Sequence, residues 1–473
     1  MKAILNVLMK DEMERIHEAS VSILEKTGVR VYSEKVRRLL ASYGATVVGD
    51  IVKFPRSLIE ESLKRAPKEI LLAARDPKYD LKIPATDFPF IATSGFSPFI
   101  EDLETNKRRP STLLDLEAFA LVSDYLNTVD FFWPTLIPND KPPELQDLHS
   151  FFVAFKNNRK HVQHECKDEK TAKWAIELAS VIAGGKEELK KRPIFSSVNC
   201  PVSPLVFEKG TTEAMVILAR AGIPIAPMSM CIAGSTSPAT LAGTLAVANA
   251  EQLATLVIIQ CSFPGAPMIY SVESTPMDRK TGEIDYTAPE FLLICAAAAQ
   301  MARFYGLPNL TSDIPLEYIP TDTYSFERNV LKVAMHLMVQ TDLSAWLGSV
   351  DRAKSASIIQ LILDAEACEH AKAYLRSFDI NDETLALEVI DKVGPGGHFL
   401  SEKHTVKHLR KEFWIKSLSE TFYLDPGEGS YFERAKKKAK EILLKHSVSI
   451  EDDILREMSA VLQTAEKDIM SGR

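Results

Sequence analysis

Paired cysteines are missing from this sequence. Its six cysteines, Cys166, Cys200, Cys231, Cys261, Cys295 and Cys368, stand singly in apolar stretches. That spacing excludes a disulfide-stapled secreted fold and predicts buried thiols in a reducing cytoplasm. A concentrated basic face is missing too: 56 Lys and Arg against 64 Asp and Glu leave a formal net charge of -8. Binding to a phosphate backbone needs such a face, so a nucleic-acid ligand is excluded. The one dense basic run, Lys436-Lys437-Lys438-Ala439-Lys440, reads as the solvated side of a helix. The sequence shows no signal peptide and no apolar run expected to span a bilayer, because Met1 to Lys10 is short and soon charged. Low-complexity segments and long repeats are likewise lacking.

What is present suits a large folded core, with 46% apolar and 25% charged residues. The first stretch reads as a helical cap, with Met13, Ile16, Ala19, Ile23 and Leu24 on one face of Asp11 to Thr27 and Gly28 ending the helix. Further helices are predicted from an amino-terminal cap at Ser33 to Tyr43 and from Pro55 to Arg65, around the apolar run Asp50 to Phe54. From Phe88 the rhythm changes. β-rich runs at Phe88–Thr93, Val129–Ile137, His161–Cys166, Phe195–Cys200, Ile223–Cys231, Pro267–Ser274, Asn309–Ile314 and Leu343–Val350 alternate with segments of helical period. Those helices are Leu113–Leu126, Glu144–Asn157, Glu169–Ala183, Lys209–Ala221, Leu241–Ile259, Pro289–Tyr305, Tyr324–Val339 and Ala353–Phe378. Crossover helices make neighbouring strands parallel, and eight such units in about 290 residues predict a closed (β/α)8 TIM barrel. An open doubly wound sheet uses the same units. It would carry a glycine-rich phosphate loop after its first strand, where this chain has Ser94-Gly95-Phe96-Ser97-Pro98-Phe99. The organisation expected is an N-terminal helical cap over 1–85, the α/β barrel over 86–380 and a C-terminal helical extension over 381–473.

In a barrel of this kind the residues at the carboxyl ends of the strands carry the chemistry. Here they are Phe96, Phe99, Trp133, Thr135, Gln163, His164, Asn199, Met228, Met230, Glu273, Asp313 and Trp346. The set is rich in aromatic, thioether and amide groups and poor in the clustered histidines and carboxylates of a metal hydrolase. His161 and His164 point to opposite faces of a strand, His404 and His408 share a helical face without a third ligand, and no metal site is expected. Cys166 beside Glu165 reads as a small buried hydrophobe. Aromatic rings suit one ligand class well: a quaternary ammonium neither donates nor accepts a hydrogen bond and is held by negative ring faces. Phe96, Phe99, Phe131, Trp133, Tyr270, Tyr318, Tyr324 and Trp346 are the candidate rings.

Several short segments in one order give a resemblance. They are Thr93-Ser94-Gly95-Phe96 with Arg109-Pro110-Ser111-Thr112, then Lys160-His161, Ser203-Pro204-Leu205, and Gly234-Ser235-Thr236-Ser237-Pro238-Ala239-Thr240-Leu241-Ala242-Gly243. Asn249-Ala250-Glu251, Pro264-Gly265-Ala266-Pro267, Asp278 with Gly282, Pro289-Glu290 and Gly394-Pro395-Gly396-Gly397-His398-Phe399 follow. Over about Ala92 to Trp414 the chain resembles the trimethylamine methyltransferase superfamily, in particular members that lack pyrrolysine and demethylate quaternary amines. The resemblance implies a (β/α)8 barrel that moves a methyl group to the cobalt(I) of a separate corrinoid protein, with no tightly bound cofactor of its own. Matching Pro320 to Glu327 onto the family's pyrrolysine region places Tyr318 where trimethylamine enzymes carry that residue.

The departure has a chemical meaning. A quaternary nitrogen has no lone pair to add to an imine and already carries its charge, so loss of a methyl group releases a neutral tertiary amine. The expected substrate is glycine betaine, proline betaine, carnitine or γ-butyrobetaine. Glu273 and Tyr318 are the candidate catalytic groups, though Glu273 and Asp313 each read more readily as hydrogen-bonded rim residues. A betaine carboxylate would be held by His398 first, or by His164, Gln163 or Arg279. A homo-oligomer is possible on this reading. The competing readings are a barrel hydrolase or lyase for a small polar substrate and a non-catalytic betaine-binding module.

Overall fold

The computed structural model describes residues 3–312, 323–414, 423–424 and 429–471, and the side chains of 323–327 lie outside that description. The barrel strands are β1 (Phe90–Thr93), β2 (Phe131–Phe132), β3 (His161–Glu165), β4 (Phe195–Val198), β5 (Ile225–Ala226 and Met228–Ser229), β6 (Tyr270–Val272), β7 (Asn309–Ser312) and β8 (Leu343–Leu347). All pair in parallel, and β8 pairs with β1. Pro227 cannot donate to the ladder, which splits β5 into a half beside β4 and a half beside β6. The circle is thereby closed, and the fold is a TIM barrel.

Alternation along each strand sorts side chains into two cores. Ala92, Phe131, Trp133, Val198, Ala226, Met228, Leu310, Leu343 and Ala345 fill the interior. Phe132, Val162, Phe195, Tyr270 and Trp346 belong to the larger core that also takes in the outer helices. The interior is plugged at its amino-terminal end by a hairpin, Ile70–Leu72 with Leu81–Ile83, whose four isoleucines and leucines at its ends join the inner cluster.

The amino-terminal region is more than helical. Val29–Val31, Ile51–Lys53 and Thr46–Val48 form a small sheet with Val206–Phe207, which ties this region to the loop after β4. Ser33 caps its helix as predicted, accepting a hydrogen bond from the Val36 amide at 3.3 Å. Helices Lys10–Ser22 and Arg56–Arg65 pack on the outer face of helix Leu241–Ser262. That explains a correction. This 22-residue helix is long and apolar enough to cross a membrane, contrary to the sequence expectation, but 83% of its most apolar window is buried inside the protein. A helix covered on all sides has no polar face to display.

Candidate active site at the barrel mouth

β1 ends on the segment Thr93-Ser94-Gly95-Phe96, and three of these residues act on Trp133. The Thr93 hydroxyl donates to the Trp133 carbonyl at 2.6 Å and accepts from its amide at 3.1 Å. Gly95 lies against the indole, where a β-carbon would come within 2.6 Å of Cε2. Phe96 meets Trp133 edge-on, with ring centroids 5.7 Å apart at 88°. Phe96 does this from a left-handed backbone at φ 71°, a costly conformation for a bulky residue and one that collects at ligand sites. Arg109 bridges Asp102 and Asp115 at 3.0 and 2.7 Å, and Ser111 donates to the Ile137 carbonyl at 2.6 Å, so the segment Arg109-Pro110-Ser111-Thr112 fastens the loop that carries Phe96.

β3 presents His161, Gln163 and Glu165 inward, one above another. His161 binds the plug through the Ala73 carbonyl at 2.7 Å and the Ser196 hydroxyl at 2.9 Å, and burial pulls its pKa down to about 4, leaving it neutral. Gln163 accepts from Ser196 at 3.3 Å, while its Nε2 has no partner among the described residues. Trp133 Nε1 and Ser271 Oγ share that condition. Three buried polar atoms directed into one interior need a ligand or water. Glu165 stands at the top, paired in register with Val198 of the inner core. Burial and the nearby Asp147 push its carboxyl up to about 7, against the pull of Lys167.

Across the mouth, Glu273 follows β6 and is almost fully buried. It accepts a 2.5 Å hydrogen bond from the Tyr286 hydroxyl. Burial drives the Cys200 thiol far up, and the charges of Glu165, Glu273 and Glu251 add to that shift. Burial does the same to Cys166, which leaves neither thiol a ready nucleophile. Among the described residues no group of three His, Cys, Asp or Glu is arranged to hold a metal ion.

Of the residues singled out in the sequence, the structure brings Phe96, Trp133, Met228 and Met230 into one inner cluster, Gln163 faces the same interior from β3, and Glu273 is buried at the end of β6. Others are placed elsewhere. Tyr270 points outward, donating to Asn249 at 2.9 Å under helix Leu241–Ser262, and Trp346 is buried among the outer helices. Phe99 sits in a small sheet with Arg108–Pro110 and Ser355–Ala356 outside the barrel, and the Arg108 guanidinium covers its ring at 4.2 Å. His164 faces away from the interior, 5.1 Å from Phe151 and 3.6 Å from Asp147, but its ring also lies 5.7 Å from that of Phe96. It still helps to line a side cavity of about 210 Å³ with Phe96, Glu165, Asp147 and Lys167. His398 is on an exposed turn of the carboxyl-terminal extension. Arg279 lines an open cleft of about 1140 Å³ between the loops after β5 and β6. Tyr318 and Asp313 lie outside the described residues, as does the side chain of Tyr324. Glu165 and Tyr286 were not singled out as site residues; the period of two that places Gln163 inward could have found Glu165.

Comparisons with known proteins place the chain among methyltransferases. A glycine betaine methyltransferase from Desulfitobacterium hafniense is 32% identical over 417 residues, covering 88% of this chain and 87% of the relative. A trimethylamine methyltransferase, MttB, from the same species is 30% identical over 438 residues, covering 92% and 88%. Among solved structures, the Methanosarcina barkeri monomethylamine methyltransferase MtmB matches with a TM-score of 0.55 over 99% of this chain and 89% of that one. At 13% identity that match speaks for the fold alone. The model of the family described as trimethylamine methyltransferase matches residues 2–469, and the chain belongs to this family of methyltransferases.

Proposed function

We propose that the chain removes a methyl group from a quaternary amine of the betaine type and passes it to the cobalt(I) of a corrinoid carried by a partner protein. The observation that carries this reading is the edge-on pair of Phe96 and Trp133 with the half-buried carboxyl of Glu165, which lines one cavity with Phe96. Among the described residues no lysine or arginine forms an ion pair with Glu165. A half-buried, desolvated carboxyl in that state resists ionisation until a cation arrives. A trimethylammonium group supplies the charge, and ring faces bind it without needing a hydrogen bond.

In the step itself the cobalt(I) electron pair forms a bond to the methyl carbon while the carbon–nitrogen bond breaks behind it. The pair from that bond stays on nitrogen, and a neutral tertiary amine leaves. The chain's residues orient the methyl group toward the carboxyl end of the barrel and exclude water. Positive charge on nitrogen fades towards the transition state, so a cage that binds the cation too tightly slows the reaction. Among the described residues, Phe96 and Trp133 are the candidate rings brought together there. Glycine betaine, proline betaine, carnitine and γ-butyrobetaine all present the required head group, and Gln163 Nε2 is the unpartnered donor nearest in kind to a substrate carboxylate's need.

The test supplies the full-length protein with cobalt(I) cobalamin, or a corrinoid protein, and each betaine in turn, and follows methylcobalt formation by its visible spectrum. Methyl transfer from one betaine is expected. Transfer from trimethylamine alone, or from none of these compounds with a corrinoid protein present, would overturn the proposal.

A further inference from the structure

Phe96 stands between two spaces. Its ring lies 5.7 Å from Trp133 on the barrel side and 5.7 Å from His164 on the side of the 210 Å³ cavity. Glu165 and His164 both line that cavity, together with Asp147 and Lys167. His164 is almost fully buried, yet neither of its ring nitrogens has a hydrogen-bond partner among the described residues. Its Nε2 stops 3.6 Å from the Asp147 carboxylate, just beyond hydrogen-bond length. Histidines that only support the fold are bonded, as His161 is to the plug and His336 is to Ser344 at 2.9 Å. Burying an imidazole with both nitrogens unsatisfied costs stability, and this cavity is polar and roomy enough for water to bridge them.

The outer rim of the cavity meets solvent. Gln146 and Asp147 are half-buried there, and Lys167, with a side chain 38% exposed, binds the Asp147 carboxylate at 3.0 Å and the Pro143 carbonyl at 2.7 Å. From the barrel side outward the titratable groups lining the cavity are therefore Glu165, His164, Asp147 and Lys167. Asp147 and Lys167 answer each other. Glu165 and His164 are left to the water of the cavity, with Phe151 and Phe96 against the imidazole ring.

We infer that the side cavity is the proton outlet of the methyl-transfer site and that His164 is its relay, passing a proton between the water beside Glu165 and the water beside Asp147. The inference rests on the cation site proposed above. An arriving ammonium group favours the Glu165 carboxylate, so the proton on that carboxyl has to leave, and the tertiary amine formed later is a base that takes one up. One ring nitrogen of His164 accepts a proton from the Glu165 side while the other releases its own to the Asp147 side, and the reverse sequence returns it and restores the tautomer. The number of protons is conserved and no electron changes hands. A betaine seated against Trp133 and Phe96 covers Glu165 from the barrel, which leaves the cavity as the carboxyl's contact with water.

The test mixes the full-length protein with each of the four betaines in weak buffer, on the acid side of the Glu165 titration, and follows the released proton with a pH indicator in a stopped-flow cell. In the wild type, release is expected to keep pace with binding. His164→Phe keeps the shape of the ring and removes only nitrogens that lack partners among the described residues, so its thermal midpoint should equal or exceed that of the wild type. Proton release in this variant should lag behind binding by about tenfold or more, with the final number of protons unchanged. His164→Ala should show the same lag, and free imidazole, which fits the space opened, should restore the rate. Release at the wild-type rate in both variants, or a lag that imidazole does not shorten, would overturn the relay while leaving the cation site standing. Failure of every betaine to bind the wild type would overturn the cation site and the relay with it.

Discussion

Gly95 and Trp133 touch at the barrel mouth, the glycine lying where any side chain would run into the indole ring. The pair explains why a glycine stands between Ser94 and Phe96. Gly95→Ala would force Trp133 off its position and away from Phe96. An overpacked contact of this kind costs about 1–3 kcal/mol. Substrate KM should rise in the variant, and thermal unfolding should shift down with it. A KM unchanged by Gly95→Ala would remove Trp133 from the binding site.

Phe96 offers a sharper contrast, because its backbone is left-handed at φ 71°. Both Phe96→Ala and Phe96→Gly lose the ring, and each should weaken a quaternary ammonium by about 0.5–2 kcal/mol. Glycine, however, adopts this conformation without strain, so the glycine variant should be the more stable of the two by about 1 kcal/mol. That reverses the usual order of alanine and glycine. Denaturant titration of the two variants decides it.

Glu165 gives stability a pH dependence. Its folded carboxyl titrates at about 7, raised from an ordinary value of 4.5 by burial and Asp147. Between those values the folded state holds a proton that the unfolded state has released, so stability falls as pH rises through the window, and the full penalty is present above it. Glu165→Gln should flatten the thermal midpoint across that window and raise it at higher pH in the absence of ligand. A bound cation acts the other way: it favours the carboxylate, so binding of a quaternary amine below about pH 7 should release a proton. Calorimetry in two buffers of different ionisation enthalpy reads that proton, and its absence would separate Glu165 from the ligand.

Tyr286 holds Glu273 by a 2.5 Å hydrogen bond. Tyr286→Phe removes the donor and keeps the ring that packs on Phe291 at 5.4 Å. A loss of about 1–3 kcal/mol in stability is expected. Turnover should fall as well, with little change in the far-ultraviolet spectrum. Full turnover in this variant would leave the Tyr286–Glu273 pair a purely structural bond.

Helix ends were the most legible part of this chain. Helix Glu169–Ala183 lies where the sequence puts it because Asp168 accepts from the Thr171 amide and Gly184 turns left-handed. Helix Pro289–Tyr305 does so because proline opens it and Gly306 closes it. Strand faces were less legible, for a physical reason. Barrel strands are buried on both sides, so Tyr270 and Trp346 on the outer face look no different in sequence from Trp133 on the inner one. Parity decides, and it needs an anchor such as His161 on the plug. The plug was hidden because its strands are three residues long. Tyr286 reaches the site from a loop, where no period applies. The order of short segments was legible for another reason: Glu251, in one of them, accepts from the Leu205 amide at 2.8 Å and the Ser203 hydroxyl at 3.0 Å of another, so distant segments answer to one contact.

The measurement closest to the central claim compares two ligands of one shape. Calorimetry is run on the wild-type protein with each betaine and with the matching carboxylate in which a tert-butyl group replaces the trimethylammonium. Size and the carboxylate are held constant, and only the positive charge differs. If Phe96, Trp133, Glu165 and Glu273 form a cation site, one betaine binds about tenfold or more tightly than its carbon counterpart. Equal affinity for the two members of every pair would mean that the barrel mouth reads shape alone, and the account of a quaternary-amine site would fail.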